Sequence, residues 1–221
     1  MKNKILLFIS LIISTCSFAQ VKTSLGIRAG ILSSGFRGNT ANSLNDLLDL
    51  TNGSVTASDH TGFFGGVYAD VPVGNVISVE PGLYYSEKGY DITGSLNVKG
   101  MEFLGANAKA KLQMQYIDIP VLLKANLGGL QVFVGPQFSY LSKANLKTTA
   151  GALGINILNS TMDATNQFNR WDAGVTAGIG YQFTNGINIM ASYDYGLTKL
   201  DANKSTDTYN HAIKLGVGIS F

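Results

Sequence analysis

The sequence predicts an all-β fold: an eight-stranded antiparallel up-and-down transmembrane β-barrel, with short periplasmic turns and long extracellular loops. Three observations predict it. Eight stretches alternate apolar with small or polar residues at a period of two. Tight turns and long polar links alternate between those stretches. The apolar runs beyond the N-terminal segment are only a few residues long, as in Ile119-Pro120-Val121-Leu122-Leu123, so none is a helical span.

At the N-terminus, Lys2 and Lys4 precede an apolar run from Ile5 to Ile13, and Ser17-Phe18-Ala19 forms a small-x-small cleavage site. That is the pattern of a secretory signal peptide. The expected organisation is a cleaved signal peptide over residues 1–19 and a single outer-membrane β-barrel domain over residues 20–221. A lipoprotein bearing its lipid on Cys16 is the rival reading, and Thr15, where a small residue is usual, argues against it. Cys16 is the only cysteine. The exported chain is therefore expected to have no disulfide framework, thiol nucleophile or thiolate metal site. Losing Lys2 and Lys4 reduces the 16 Lys+Arg to 14, against 14 Asp+Glu. That balance leaves no electrostatic footprint for nucleic acid.

The first alternating segment runs from Val21 to Ile31, with Leu25, Ile27, Ala29 and Ile31 opposite Ser24, Gly26, Arg28 and Gly30. The second, Phe63 to Val71, sets Phe63, Val67, Ala69 and Val71 against Phe64, Gly66, Tyr68 and Asp70. In the third, Ile77, Val79, Pro81, Leu83 and Tyr85 oppose Ser78, Glu80, Gly82 and Tyr84. In the fourth, Ile117, Ile119, Val121, Leu123 and Ala125 oppose Tyr116, Asp118, Leu122 and Lys124.

The fifth sets Leu130, Val132, Val134, Pro136 and Phe138 against Gln131, Phe133, Gly135, Gln137 and Ser139. The sixth sets Trp171, Ala173, Val175, Ala177, Ile179 and Tyr181 against Asp172, Gly174, Thr176, Gly178 and Gly180. The seventh sets Ile187, Ile189, Ala191, Tyr193 and Tyr195 against Asn188, Met190, Ser192 and Asp194. The eighth sets Ile213, Leu215, Val217, Ile219 and Phe221 against Ala212, Lys214, Gly216, Gly218 and Ser220. Val73-Gly74-Asn75, Gly128-Gly129 and Thr184-Asn185-Gly186 read as hairpin turns. Long polar links are expected over roughly residues 32–60, 88–112, 142–170 and 198–210.

The two faces decide between a membrane barrel and a soluble lipocalin-like carrier, which would be apolar inside. One face is almost purely aliphatic. The other mixes glycine with Arg28, Asp70, Glu80, Asp118, Lys124, Asp172, Asp194 and Lys214. Glycine is costly in a strand, but a narrow eight-stranded lumen has room for little besides glycine and long polar side chains. The apolar face is therefore expected to meet lipid. Phe63, Tyr85, Phe138, Tyr140, Trp171, Tyr193 and Tyr195 then fall near the outer rim, and Tyr181, Phe183 and Phe221 near the inner one, as two interfacial girdles. A terminal Phe221 after alternating apolar residues resembles the signal that outer-membrane barrels present to their assembly machinery. Both mature termini are expected on the periplasmic side.

The stretches "SVEPGLYYSEKG" (78–89), "YIDIPVLLKANL" (116–127), "FVGPQFSYL" (133–141), "WDAGVTAGIGYQF" (171–183) and "YDYGLTKL" (193–200) resemble the PorT-like outer-membrane β-barrel family. The resemblance covers roughly residues 21–221 and implies a small outer-membrane barrel. The family's founding member is associated with a secretion apparatus, and no residue in this chain marks that role.

The lumen charges read either as a polar conduit or as an ion-paired network that fills the barrel. Eight strands enclose only enough space for side chains, which favours the network. Ser58, Asp59 and His60 could serve a hydrolytic site at the outer mouth, although no motif positions them and such a run is commonly a polar turn. His211 falls at an outer strand end. Asp201, Asn203, Ser205 and Asp207 carry the first spacings of a calcium loop, but Thr206 replaces its glycine and Ala212 its glutamate. Ser43 could cap a short helix within residues 42–53 that folds Leu44, Leu47 and Leu48 over the barrel mouth. Residues 152–160 read as an extension of neighbouring strands beyond the membrane.

The expected function is non-enzymatic: a barrel with a structural or surface-binding role exerted through its loops. No catalytic, cofactor or metal residue is expected. The expected partners are outer-membrane lipid, the assembly machinery and an envelope or extracellular protein. An enzyme at the outer mouth and a soluble carrier are the alternatives.

Overall fold

The computed structural model describes residues 23–38, 55–96, 106–152, 155–203 and 207–221. The signal peptide expected over residues 1–19, the helix expected within 42–53, and residues 204–206 of the calcium-like stretch lie outside the described residues.

Nine antiparallel strands are present among the described residues: β1 Ser24–Arg37, β2 Val55–Pro72, β3 Ile77–Leu96, β4 Ala106–Leu127, β5 Leu130–Ala152, β6 Ile155–Asp163, β7 Trp171–Gln182, β8 Ile187–Gly196 and β9 Tyr209–Ser220. Eight of them close a ring in the order β1-β2-β3-β4-β5-β7-β8-β9, with β9 returning to β1. Closure removes the exposed edges that an open sheet would present. Following cross-strand partners from Gly26 through Tyr68, Gly82, Pro120, Gln137, Gly174, Gly196 and Asn210 returns to β1 at Phe36, a shear of ten residues. With a rise of ~3.3 Å per residue and strands ~4.8 Å apart, that shear tilts the strands by about 40°.

At one end the connections are tight. Gly128 and Gly129 both have positive φ, 60° and 98°, as a two-residue hairpin turn with matching twist requires. The Thr184–Gly186 turn closes through Phe183 N–H donating to the Ile187 carbonyl at 2.8 Å. At the other end β3, β4 and β5 project well past the ring. The sequence reading places polar links over 88–112 and 142–170. The structure instead carries β3 on to Leu96, begins β4 at Ala106, extends β5 to Ala152 and adds β6 on the outer part of β5. The physical reason is that the two faces exchange character beyond the rim. On β4, Lys109, Lys111 and Gln113 stand outward while Ala108, Ala110, Leu112 and Met114 stand inward, so a pattern read for an apolar outward face ends there while the hydrogen-bonded ladder continues. β6 includes much of the 152–160 stretch and pairs with β5 alone among the described strands.

The outer face is apolar: Leu25, Ile27, Ile31, Val67, Leu83, Ile119, Leu123, Val134, Ile179, Leu215, Val217 and Ile219 are all exposed. The inner face holds the buried charges. A soluble carrier would show the reverse arrangement. A register shift interrupts β2 between Asp59 and Phe64. There the Ser34 hydroxyl of β1 reaches past β2 and accepts from the Gly89 amide of β3 at 2.8 Å. A bulge of this kind admits an extra residue and bends its strand.

Candidate functional site

Inward positions of consecutive strands meet across the narrow lumen, so residues far apart in sequence become partners. Near the short-turn end, Arg28 of β1 donates to Glu80 of β3, with Nη1 2.7 Å from Oε1. It also donates to Tyr84 Oη at 3.2 Å and Asn188 Oδ1 at 3.3 Å, while its guanidinium lies over the Tyr68 ring. Lys124 of β4 donates to Glu80 Oε2 at 2.8 Å and to Asp70 of β2. Asp70 is half-buried and lines a vestibule of about 570 Å³ at the short-turn end, together with Ser24, Asn126, Gln131, Gln182 and Ser220.

A second group lies further along the axis, centred on the fully buried Asp118. It accepts from Ser139 at 2.6 Å, Ser86 at 2.7 Å, and Lys88 and Lys214 at 3.2 Å each. Lys214 also pairs with Asp194 at 2.7 Å, and Asp194 accepts from Thr176 and Gln137. Asp172 accepts from Asn210 Nδ2 at 2.9 Å, and the same amide donates to Tyr116 Oη. Charged hydrogen bonds of this density compensate much of the cost of removing the groups from water. Among the described residues, small cavities of about 10 Å³ beside Asp172 and about 30 Å³ beside Ser192 lie in this network, with room for about one and about two waters.

Beyond this group the interior turns apolar. Met114, Tyr116, Leu141, Ala144 and Leu200 are buried together, with Phe36, Leu112 and Phe168 packed against them. Phe36 stacks on Tyr90 at 5.1 Å. The register break between Gln115 and Tyr116 sets Leu141 opposite Tyr116 and Lys143 opposite Gln115, so Leu141 and Ala144 both turn inward. At the long-strand end the lumen thus closes on a greasy cap.

All eight charges singled out from sequence lie on the inner wall, and seven of them are buried. Sequence reasoning missed Lys88 because the third segment was ended at Tyr85. Carrying the parity of Ser78, Glu80, Gly82 and Tyr84 two steps further reaches Ser86 and Lys88. It also missed the polar roles of Tyr68, Tyr84, Gln137 and Asn188, which stand at inward positions of its own segments, and of Asn210, which it left in the link over 198–210.

Aromatic side chains gather at both rims of the apolar face. At the long-strand end Phe63 packs on Tyr85 (5.7 Å), Tyr140 on Trp171 (5.0 Å) and Tyr193 on Tyr195 (6.4 Å). Arg37 also lies over the Tyr195 ring at 3.5 Å. His211 sits 6.3 Å from the Tyr193 ring. At the opposite rim Tyr181 packs on Phe183 at 4.9 Å, and Phe221 is exposed.

The Ser58-Asp59-His60 run does not assemble a triad. His60 is buried, with Nδ1 2.9 Å from Asp91 and Nε2 3.3 Å from Glu87, so both ring nitrogens face carboxylates instead of Ser58. Asp59 faces His211 at 3.6 Å. In the calcium-like stretch, Asp207 pairs with Lys199 at 2.7 Å and Asp201 forms a β-bridge with Phe168. Beyond the barrel wall, Asp163 accepts from the Thr165 hydroxyl and from its amide at 2.8 Å, and these bonds hold the carboxyl below the usual carboxylate range.

The model of the outer membrane protein beta-barrel domain family matches residues 18–202. No curated protein matches the sequence. Among solved structures, the chain is similar to Neisserial surface protein A, with 12% identity over 91% of this chain and 100% of that one and a TM-score of 0.47. It is also similar to Ail, the attachment invasion locus protein of Yersinia pestis, with 14% identity over 91% and 100% and a TM-score of 0.45. The outer membrane protease OmpT from Escherichia coli aligns at 14% identity over 90% and 96%, with a TM-score of 0.38. The chain belongs to the outer membrane protein beta-barrel domain family and is a small integral outer-membrane β-barrel protein.

Proposed function

We propose that this barrel is a non-enzymatic, closed structural element of the outer membrane whose projecting strands and loops carry its surface role. The single observation behind this reading is the filled lumen, with two ion-paired groups below and an apolar cap above. A conduit would need a continuous wet path, and among the described residues the network is interrupted by cavities of just about 10 and 30 Å³. The short turns are assigned to the periplasmic side together with the mature termini, and the long strands to the outside. Support comes from the asymmetry of strand length, which outer-membrane barrels share. The role of a signal peptide over residues 1–19 belongs to the same reading, as does the PorT-like resemblance, which adds no secretion role.

The alternative, an enzyme at the outer mouth, finds little support in His60, whose two nitrogens are both engaged by carboxylates. Conductance across planar bilayers tests the closed lumen: the expected record has no stable channel, and a large steady conductance would overturn the reading. Protease digestion of intact cells tests the orientation, with cleavage expected in the long-strand end and none in the short turns.

A further inference from the structure

At the short-turn end the lumen widens into the vestibule of about 570 Å³ that Asp70 lines. That volume falls within the roughly 300–1,000 Å³ of small-molecule sites. The hydrogen-bonding groups of its wall are mostly acceptors. Asn126 Nδ2 donates to Ser78 Oγ at 3.2 Å, and Gln182 Nε2 donates to the Gly186 carbonyl at 3.0 Å. Both amides thus direct their donors into the barrel, and their carbonyl oxygens have no partner among the described residues. Asp70 gives one oxygen to Lys124 and leaves the other, Oδ1, unpartnered.

Gln131 is the sharpest case. It stands directly opposite Asn126 and lines the same space. Only 5% of it is exposed, yet its side chain makes no hydrogen bond to any described residue. Buried polar groups are ordinarily paired, so an unpaired carboxamide facing a cavity marks a place where a guest completes the bonding.

Charge sets the kind of guest. Among the described residues that line the vestibule, Asp70 alone is charged. Its cationic partner Lys124 is buried and committed to both Asp70 and Glu80. The rings of Tyr181 and Phe183 line the same space. Carboxylate and carbonyl oxygens accept from an ammonium group, and aromatic faces attract one. An anion would meet no accessible cation there. A neutral saccharide, as much acceptor as donor, would leave part of the acceptor excess unanswered.

We infer that the vestibule binds a small alkylammonium ion, a free diamine of the putrescine class. Asp70 and the amide oxygens of Gln131 and Asn126 receive an ammonium group, and Tyr181 and Phe183 flank the alkyl chain. The site lies apart from the projecting strands that carry the proposed surface role. It does not need a filled lumen either, because an open channel would leave these acceptors in place.

Equilibrium dialysis of the folded full-length protein in non-ionic detergent against labelled putrescine tests this, with heat-modifiable migration confirming the fold of each variant. Saturable binding of one putrescine per barrel is expected, weakening with added salt. Diacetylputrescine, which keeps the chain but loses both charges, should compete poorly, as should magnesium. Gln131→Met removes the amide without stranding a partner and should weaken binding roughly 2- to 10-fold, the range of a neutral hydrogen bond. Asp70→Asn leaves Lys124 paired with Glu80 and should weaken it roughly 10- to 100-fold, the range of a charged one. Full affinity in either folded variant would overturn the proposal. So would binding that never saturates, equal competition by diacetylputrescine or magnesium, or displacement of putrescine by a neutral disaccharide. The same ammonium chemistry is carried by a lysine side chain, so a lysine-bearing peptide that bound where putrescine did not would overturn it too.

Discussion

Arg28 and Glu80 face each other across two strands, 52 residues apart in sequence and 2.7 Å apart in space, with both side chains buried. Glu80 also serves Lys124, which in turn holds Asp70. The four groups alternate in sign along one wall of the lumen, so each removal strands a different remainder.

Removing Glu80 leaves two buried cations with only the half-buried Asp70 between them. Breaking a buried pair from one side typically costs about 3–5 kcal/mol, because the surviving charge is left uncompensated. Glu80→Gln is expected at the upper end of that range. Arg28→Met leaves Glu80 still paired with Lys124 and should cost less. Urea unfolding in detergent micelles measures both. An unchanged midpoint for Glu80→Gln would show that the lumen is hydrated enough to make the pairing irrelevant.

Val217 lies on the outward face of β9, between Ala29 of β1 and Ile189 of β8, and is exposed to whatever surrounds the barrel. A lysine there should cost about 2–4 kcal/mol if the surroundings are hydrocarbon. Ser160→Lys, exposed on the projecting β6 opposite Thr148, should be nearly neutral. Refolding yield into lipid vesicles compares the two. If Val217→Lys inserted as well as Ser160→Lys, water and not lipid would bathe the aliphatic face.

Glycine on the inner wall has a stricter reason than the narrowness of the lumen. A Cβ added at Gly135 would lie 2.0 Å from the Val121 carbonyl oxygen, and one at Gly30 would lie 2.0 Å from that of Leu215. Both obstacles are backbone of the neighbouring strand, so the ladder itself would have to open. Gly135→Ala is expected to lower the unfolding midpoint well beyond the roughly 0.5–1 kcal/mol that glycine itself costs in a strand. Gly74→Ala, in a turn with open space around it, should change nothing. Equal midpoints for the two variants would mean that the strands give way easily.

Wherever lipid contacted one face, the wall of the barrel was legible in the sequence. Period-two alternation placed Phe63 outward and Phe64 inward, and Phe138 outward with Gln137 and Ser139 inward, because a buried polar face beside a lipid-facing one is a strong contrast. Beyond the aromatic rim that contrast changes sides. On β4, Lys109, Lys111 and Gln113 stand outward while Ala108, Ala110, Leu112 and Met114 stand inward, the reverse of the lipid-facing wall, so a pattern read for an apolar outward face ends there. Lys88 was lost at that boundary, although its parity was correct. The apolar cap was hidden for a different reason. Met114, Leu141, Phe168 and Leu200 come from separate segments, and only the register break beside Tyr116 turns Leu141 and Ala144 the same way. Local pattern cannot report a partner supplied by a bulge in another strand.

The β6 strand raises the question of what the ring needs. β5 pairs with β6 over Asn145–Ala152 but with β7 over Leu130–Tyr140, so the two partners occupy different lengths of the same strand. Closure of the barrel depends only on the second pairing. The link back to the ring is held separately, by Ala164 N–H donating to the Ala144 carbonyl at 2.9 Å and by Ala144 N–H donating to the Thr165 hydroxyl at 3.0 Å. Replacing residues 155–161 with a Gly/Ser segment of equal length should therefore leave heat-modifiable migration and the unfolding midpoint of the barrel unchanged. Hydrogen exchange should rise only in the outer part of β5, from Lys147 to Ala152, where ladder partners are lost. If the midpoint fell by several degrees, or if exchange spread to Val132 and Val134, β6 would be part of the folding unit of the wall and not an appendage to it.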